Sequence, residues 1–277
     1  MNHSRSAATD VVSQFRLDGT VAFLSGATGL LGSCMAEALA CAGSHVILNA
    51  RRQDALDTLA HGMTGRGLQA SIACFDVTDE AALRENFVRI AKEHGRLDVL
   101  VNNASSGRTG TIESASAEDF DRAYRVNVVA PFQLLQSSIP LLKESARRRT
   151  RGGASVINIA SMYGSVSPDP AVYGTSGANN PPYYGTAKAG LIQLTRYAAA
   201  HLAADRIRVN CISPGPFPAR QYLDNDSEFE DRLKDKMPMH RTGAASELQG
   251  PLLFLASDAS SYVTGINLPV DGGWTCW

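Results

Sequence analysis

Short apolar runs rich in β-branched residues recur along the chain at Val21–Ser25, His45–Asn49, Ala70–Phe75, Val99–Asn102, Ser155–Ile159 and Arg208–Ile212. Between them, Gly32–Ala42, Asp54–Met63, Asp79–His94, Ala117–Leu142 and Tyr184–Ala204 carry apolar spacing of helical period and the Asp or Ser starts expected of helices. Strand–helix alternation needs a crossover after each strand, so it predicts a parallel sheet covered on both faces. A last run, Ile266–Val270, supplies a seventh strand. The expectation is an α/β chain, a three-layer doubly wound fold around a seven-stranded parallel sheet. In such folds the ligand crevice lies beyond the carboxyl ends of the strands.

No Pro/Ser linker, composition shift or repeat divides the chain, so residues 17–277 are expected to form one domain behind a loosely ordered arm, residues 1–16. Twenty-six basic residues against 27 acidic ones leave a net charge of −1. That balance has no excess to hold nucleic acid or an anionic membrane, and makes a small-molecule substrate the default partner. The uncharged stretch Gly19–Ala36 is broken by glycines, serines and threonines, which argues against a membrane span. The first 16 residues lack the apolar core of a secretory signal, and a cytoplasmic location is expected. Five cysteines without CxxC spacing read as reduced core thiols, and six histidines without ligand spacing give a metal no footing.

The first strand leads into Ser25-Gly26-Ala27-Thr28-Gly29-Leu30-Leu31-Gly32 and then into a helix. Glycines let the backbone turn tightly and approach a pyrophosphate, which the free N–H groups of the helix start hold. The same glycines also suit an ordinary strand–helix turn, but their place after the first strand favours a dinucleotide. The second strand ends in Asn49-Ala50-Arg51-Arg52, with no carboxylate to grip a ribose 2′-hydroxyl. Two guanidinium groups suit a 2′-phosphate, so NADP is the expected cofactor and NAD the alternative.

Tyr184 and Lys188 stand one helical turn apart, on one face. A free phenol is a poor proton shuttle at neutral pH, and a neighbouring ammonium favours its ionised form. Of the eight tyrosines only Tyr184 has a lysine four residues on.

With these residues in hand, the chain resembles the short-chain dehydrogenase/reductase family from about Leu17 to Trp274. The markers occur in order: the glycine loop; Asp76 and Val77 after the third strand; Asn102-Asn103-Ala104-Ser105, similar to the family's NNAG; Asn127; Ser161 after the fifth strand; Tyr184 and Lys188; Pro214-Gly215; and Val270-Asp271-Gly272-Gly273. The resemblance implies a Rossmann fold and a catalytic set of Asn127, Ser161, Tyr184 and Lys188. In that set Ser161 bonds the substrate oxygen and Tyr184 gives or takes the hydroxyl proton. Lys188 holds the nicotinamide ribose and tunes the tyrosine, while Asn127 seats a water leading to solvent. It implies cofactor contacts from Ser25, Gly26, Thr28, Gly29, Leu30, Leu31, Arg51, Arg52, Asp76, Val77, Asn103, Ala104, Tyr184, Lys188, Pro214 and Gly215, with Asp76-Val77 against the adenine.

The chain also departs from the pattern. Gly29 gives the GxxGxxG spacing of the longer, sugar-nucleotide-acting branch, whereas the VDGG ending is like the shorter members. Ser105 replaces a glycine, and Ala219 stands where a hydroxyl residue often bonds the carboxamide. Between Ser161 and Tyr184 lies extra chain, residues 165–182, rich in Pro, Gly and Asn and therefore a structured loop. Its hydroxyls (Ser165, Ser167, Tyr173, Thr175, Ser176), amides (Asn179, Asn180) and carboxylate (Asp169) predict a polar roof suited to sugars, sugar acids or polyols. The expected function is NADP(H)-dependent interconversion of a secondary alcohol and a ketone on such a substrate. A 3-oxoacyl-carrier-protein reductase and a catalytically silent NADP sensor are the alternatives. Long helices apolar over more than one face predict a homodimer or homotetramer.

Overall fold

The computed structural model describes residues 10–107, 109–149, 151–174, 179–218 and 228–277. Its sheet holds β1 (Val21–Ser25), β2 (His45–Ala50), β3 (Ala70–Cys74), β4 (Val99–Asn102), β5 (Ala154–Ile159), β6 (Ile207–Pro214) and β7 (Asn267–Val270), ordered β3-β2-β1-β4-β5-β6-β7. Every neighbouring pair is parallel. This is the seven-stranded, doubly wound arrangement the alternation predicted, with the order reversing between β1 and β4.

Successive strand residues point to opposite layers. In β1, Ala22 and Leu24 join a core with Met35, Leu39, Leu56 and Leu252, while Val21 and Phe23 join one with Phe87, Ile90, Leu134 and Leu142. Covered on both faces, β1 and β6 are buried at every position and do not alternate. The first core is roofed by α1 (Leu30–Cys41), α2 (Gln53–Thr64) and α8 (Gln249–Ala256). The second is roofed by α3 (Glu80–His94), α5 (Ala130–Arg148) and α6 (Pro182–Leu202).

The segment expected as one helix over 117–142 is broken. A Ser116/Asp119 capping box starts α4 (Ala117–Tyr124), a π-helical turn follows at Arg125–Val129, and α5 runs on to Arg148. The Asn127 side chain donates to the Ala123 carbonyl at 2.9 Å, and Pro131 has no N–H to give. The normal ladder is interrupted, and the Ala130 N–H reaches back five residues to the Arg125 carbonyl.

Two further helices escape the sequence reading. One is α7 (Phe229–Lys236), polar except for Phe229 and buried Leu233, and the other is α8, apolar after its first residue. Neither shows an apolar stripe longer than one turn. Part of the expected arm is ordered, since Val12–Phe15 forms a 3₁₀ turn; residues 1–9 lie outside the described residues. The thiols also differ from expectation, because Cys211 is buried but Cys41, Cys74 and Cys276 are exposed and Cys34 is intermediate, all free. Arg149, which follows α5 in an arginine-rich run, is largely buried and bonds Asp258 at 2.6 Å. Among the described residues no helix is long and apolar enough to cross a membrane.

Candidate active site

The chain leaves β1 at Gly26, whose φ of +66° suits glycine and whose α-carbon packs onto the Ala104 backbone. A side chain at Gly32 would collide with the Gly26 carbonyl. Gly29 caps α1 with no side-chain bond, so the N–H groups of its first turn stay available to an anion. They border a cleft of about 580 Å³ lined by Gly26, Thr28, Gly29, Leu30, Leu31, Arg51, Arg52, Asp76, Val77, Asn103 and Ala104. Arg51 is 79% exposed and lies 3.8 Å from Asp76, whose carboxylate is occupied by the Thr78 N–H and hydroxyl. Uncapped amides and two exposed arginines, with no acid at the end of β2, fit a dinucleotide bearing an extra phosphate.

Three expected contacts lie off the lining of the cavities. Ser25 is fully buried, and its hydroxyl accepts from the Asn103 and Ala104 N–H groups, tying β1 to the loop after β4. Pro214 belongs to β6 and is buried, outside the lining of both cavities, whereas Gly215 faces the second one. Lys188 is likewise buried behind the surface of both.

That second cavity, about 420 Å³, shares Phe217 and Pro218 with the first, so the two adjoin. Ser161 and Tyr184 line it. The Ser161 hydroxyl accepts from the Tyr163 N–H at 3.2 Å. Burial pushes the Tyr184 phenol above its ordinary pKa, and hydrogen bonds from Ser161 and Ser105 oppose that rise. Lys188 is 2% exposed, donates to the Ile159 carbonyl at 2.8 Å and sits 5.6 Å from the Tyr184 ring centre. Burial lowers its pKa to about 7. Desolvation therefore dominates both groups, in place of the ammonium-driven lowering of the phenol that the spacing suggested. Asn127 is fully buried; its amide donates to the Ser106 and Ala123 carbonyls, and its oxygen accepts from Ser105 at 2.8 Å.

The extra loop is less polar toward the cavity than expected. Asp169 pairs with Lys236, Ser165 accepts from Asn267, and Val166 and Val172 pack with Met162, Leu233, Met237 and Trp274. The Arg232 guanidinium donates to the Val172 carbonyl at 2.8 Å, and the Gly110 N–H to that of Asn179 at 3.1 Å. These ties turn several polar groups away. Of the described loop residues, Tyr173, Asn179, Asn180 and Pro181 remain on the lining, beside Phe229 and Leu233. Thr175, Ser176 and Ala219 lie outside the described residues. The sequence reading missed Tyr163, Phe217, Phe229 and Leu233, which carry no motif, and saw Ser105 only as a departure from one.

A dinucleotide cleft opening onto a Ser–Tyr pair at the carboxyl edge of a doubly wound sheet defines an NAD(P)-dependent dehydrogenase/reductase. The chain belongs to the short-chain dehydrogenase/reductase family, and the family model described as enoyl-(acyl carrier protein) reductase matches residues 26–275. It is similar to gluconate 5-dehydrogenase of Gluconobacter oxydans, 34% identical over 94% of this chain and 96% of that protein. The rhamnolipids biosynthesis 3-oxoacyl-[acyl-carrier-protein] reductase of Pseudomonas aeruginosa is 32% identical over 94% of this chain and 98% of its own length. Among solved structures, a gluconate 5-dehydrogenase from Burkholderia cenocepacia in complex with NADP and tartrate superposes with a TM-score of 0.85. It is 30% identical, covering 97% of this chain and 100% of that one.

Proposed function

We propose that this enzyme interconverts a secondary alcohol and a ketone with NADP(H), on a small substrate that has both hydroxylated and apolar faces. The observation that carries the reading is the placement of Tyr184 and Ser161 together on the lining of the second cavity, which adjoins the dinucleotide cleft through Phe217 and Pro218. Bound in the first cleft, the nicotinamide would supply or accept hydride. Ser161 and Tyr184 would hold the substrate oxygen, Tyr184 would move its proton, and Lys188 would hold the cofactor ribose and tune the phenol. A sensor without chemistry has no use for this set. Arg51 and Arg52 support NADP over NAD, as does the NADP complex of the Burkholderia relative.

The described lining of the substrate cavity has two amides and several hydroxyls but no charged side chain. These amides and hydroxyls can pair the hydroxyls of a sugar, sugar acid or polyol, or of the matching hydroxyketone. The apolar wall of Met162, Phe229 and Leu233 supports a second reading, 3-oxoacyl thioester reduction, the activity named for the Pseudomonas relative. We also propose a symmetric homo-oligomer, supported by exposed aromatics on α4, α5 and α6.

A substrate panel followed by nicotinamide absorbance, run with NADPH and NADH, tests this. Hydroxyketones should outrun an acetoacetyl thioester, NADPH should outrun NADH, and Tyr184→Phe should cost at least about a hundredfold in kcat. Preference for the thioester would move the assignment to the second reading, and turnover in Tyr184→Phe near that of wild type would remove Tyr184 from the chemistry.

A further inference from the structure

The second cavity carries two phenols besides that of Tyr184, and they reach it from different parts of the chain. Tyr163 belongs to the 3₁₀ turn Met162–Gly164 that follows β5, and Tyr173 to the extra loop; both line the cavity with Ser161 and Tyr184. Tyr163 is tied to the catalytic residues through its backbone. Its N–H donates to the Ser161 hydroxyl at 3.2 Å, and its carbonyl oxygen lies against Gly185, where an added Cβ would stand 2.8 Å away. The Tyr163 ring meets Trp274 edge-on at 6.3 Å, and the Tyr173 ring packs on Phe229 at 5.9 Å.

The two hydroxyls meet at 3.3 Å. A bond between hydroxyls is usually about 2.8 Å long, so this one is weak and a third hydroxyl can compete for it. Among the described residues Tyr173 is the one hydrogen-bond partner of the Tyr163 hydroxyl. A phenol both donates and accepts, so Tyr163 keeps its acceptor capacity for a ligand if it donates to Tyr173, and its hydrogen if it accepts. Burial pushes both phenols above their ordinary pKa, and no charged side chain stands among the described lining residues, so both keep their hydrogens at neutral pH. A ligand hydroxyl, which also donates and accepts, matches such a pair, whereas an alkyl chain would leave it unpaired.

We propose that Tyr163 is a specificity-determining residue: together with Tyr173 it holds a hydroxyl that the substrate carries in addition to the oxygen held by Ser161 and Tyr184. The substrate class is then a hydroxyketone and its polyol, in preference to a plain ketone or an acyl thioester. Packing against Trp274 and Phe229 sets both rings before the substrate arrives, which lowers the ordering cost of binding.

The proposal rests on carbonyl chemistry at Ser161 and Tyr184, and its test separates the two claims. Butanone, acetoin and erythrulose share one four-carbon ketone skeleton and differ only in their hydroxyls. In wild type with NADPH, both hydroxyketones should outrun butanone in kcat/KM. Tyr163→Phe keeps the ring and removes only its hydroxyl, so that advantage should shrink roughly five- to tenfold, mainly through KM, with butanone turnover little changed. Tyr173→Phe should act likewise, and the double variant should lose about as much as either single one, because the two hydroxyls work as a unit. Saturation-transfer NMR on the cofactor-free enzyme reads the binding of the same three ketones without turnover, and the preference should shrink there by the same factor. A hydroxyketone-to-butanone ratio unchanged in Tyr163→Phe, or no preference for the hydroxyketones in wild type, would overturn the role of Tyr163. Tighter hydroxyketone binding that Tyr163→Phe removes, with no turnover of any of the three, would instead overturn the oxidoreductase reading and leave the hydroxyl site standing.

Discussion

Lys188 is held where a charge is expensive. Its side chain is 2% exposed, its described partner is the neutral Ile159 carbonyl, and burial brings its pKa from the ordinary 10.5 to about 7. The sign of the linkage follows. Between about pH 7 and 10.5 the unfolded chain keeps a proton that the folded chain sheds, so stability rises with pH across that window. Below about pH 7 the penalty is complete, on the order of 5 kcal/mol. Lys188→Met should therefore melt above wild type near pH 6 in the absence of cofactor, with an advantage that shrinks toward pH 10, while kcat falls at least about a hundredfold. Calorimetry across pH checks it, and a constant offset would show that the lysine is not charged at a cost. The Tyr184–Lys188 pair is legible in the sequence because helical spacing fixes it. Ser105 is not, because its partner lies 22 residues away across a turn of irregular register.

At the scale of elements, the extra loop and α7 form one wall. Val172 and Leu233 are buried together with Met162, Met237 and Trp274, and the Tyr173 and Phe229 rings meet at 5.9 Å. The exposed Asp169–Lys236 pair adds little to this, whereas the apolar contact sets the position of Tyr173. Leu233→Ala should lower stability by about 2–3 kcal/mol and raise KM several-fold for the preferred substrate with kcat changed less, because it loosens a wall and spares Ser161 and Tyr184. Steady-state kinetics beside a denaturant melt would show it; an unchanged KM would mean that α7 does not shape the pocket. Strands β1, β4 and β5 were readable because each is a largely apolar run buried at every position. The wall was not. A helix with one buried residue and a loop without repeat leave no period in the sequence, and the loop's polar composition misleads because backbone ties aim several of its side chains elsewhere.

For the whole molecule, the reversal of strand order between β1 and β4 places the glycine loop, Asn103 and Ser105 around one crevice, which is why residues far apart in sequence converge there. The face carrying α4, α5 and α6 has a different task. Phe120, Tyr124, Phe132 and Tyr197 are 40%, 50%, 45% and 61% exposed on these three helices, large rings that a lone molecule would leave partly in water. In the proposed oligomer, a two-fold axis through this face would cover the same rings on both copies with one contact, the economical solution for identical chains. The backbone of α6, which carries Tyr184 and Lys188 at its start and Tyr197 near its end, would then be held from outside as well as by the sheet. Light scattering at micromolar concentration should accordingly give a dimer or tetramer mass. Phe132→Glu, which places a charge in that contact, should shift the mass toward monomer, lower the melting temperature and reduce kcat as α6 loses its outer support. A monomeric wild type would overturn the assembly. A monomeric Phe132→Glu with unaltered kcat would keep the interface but show that the catalytic helix is held by the sheet alone.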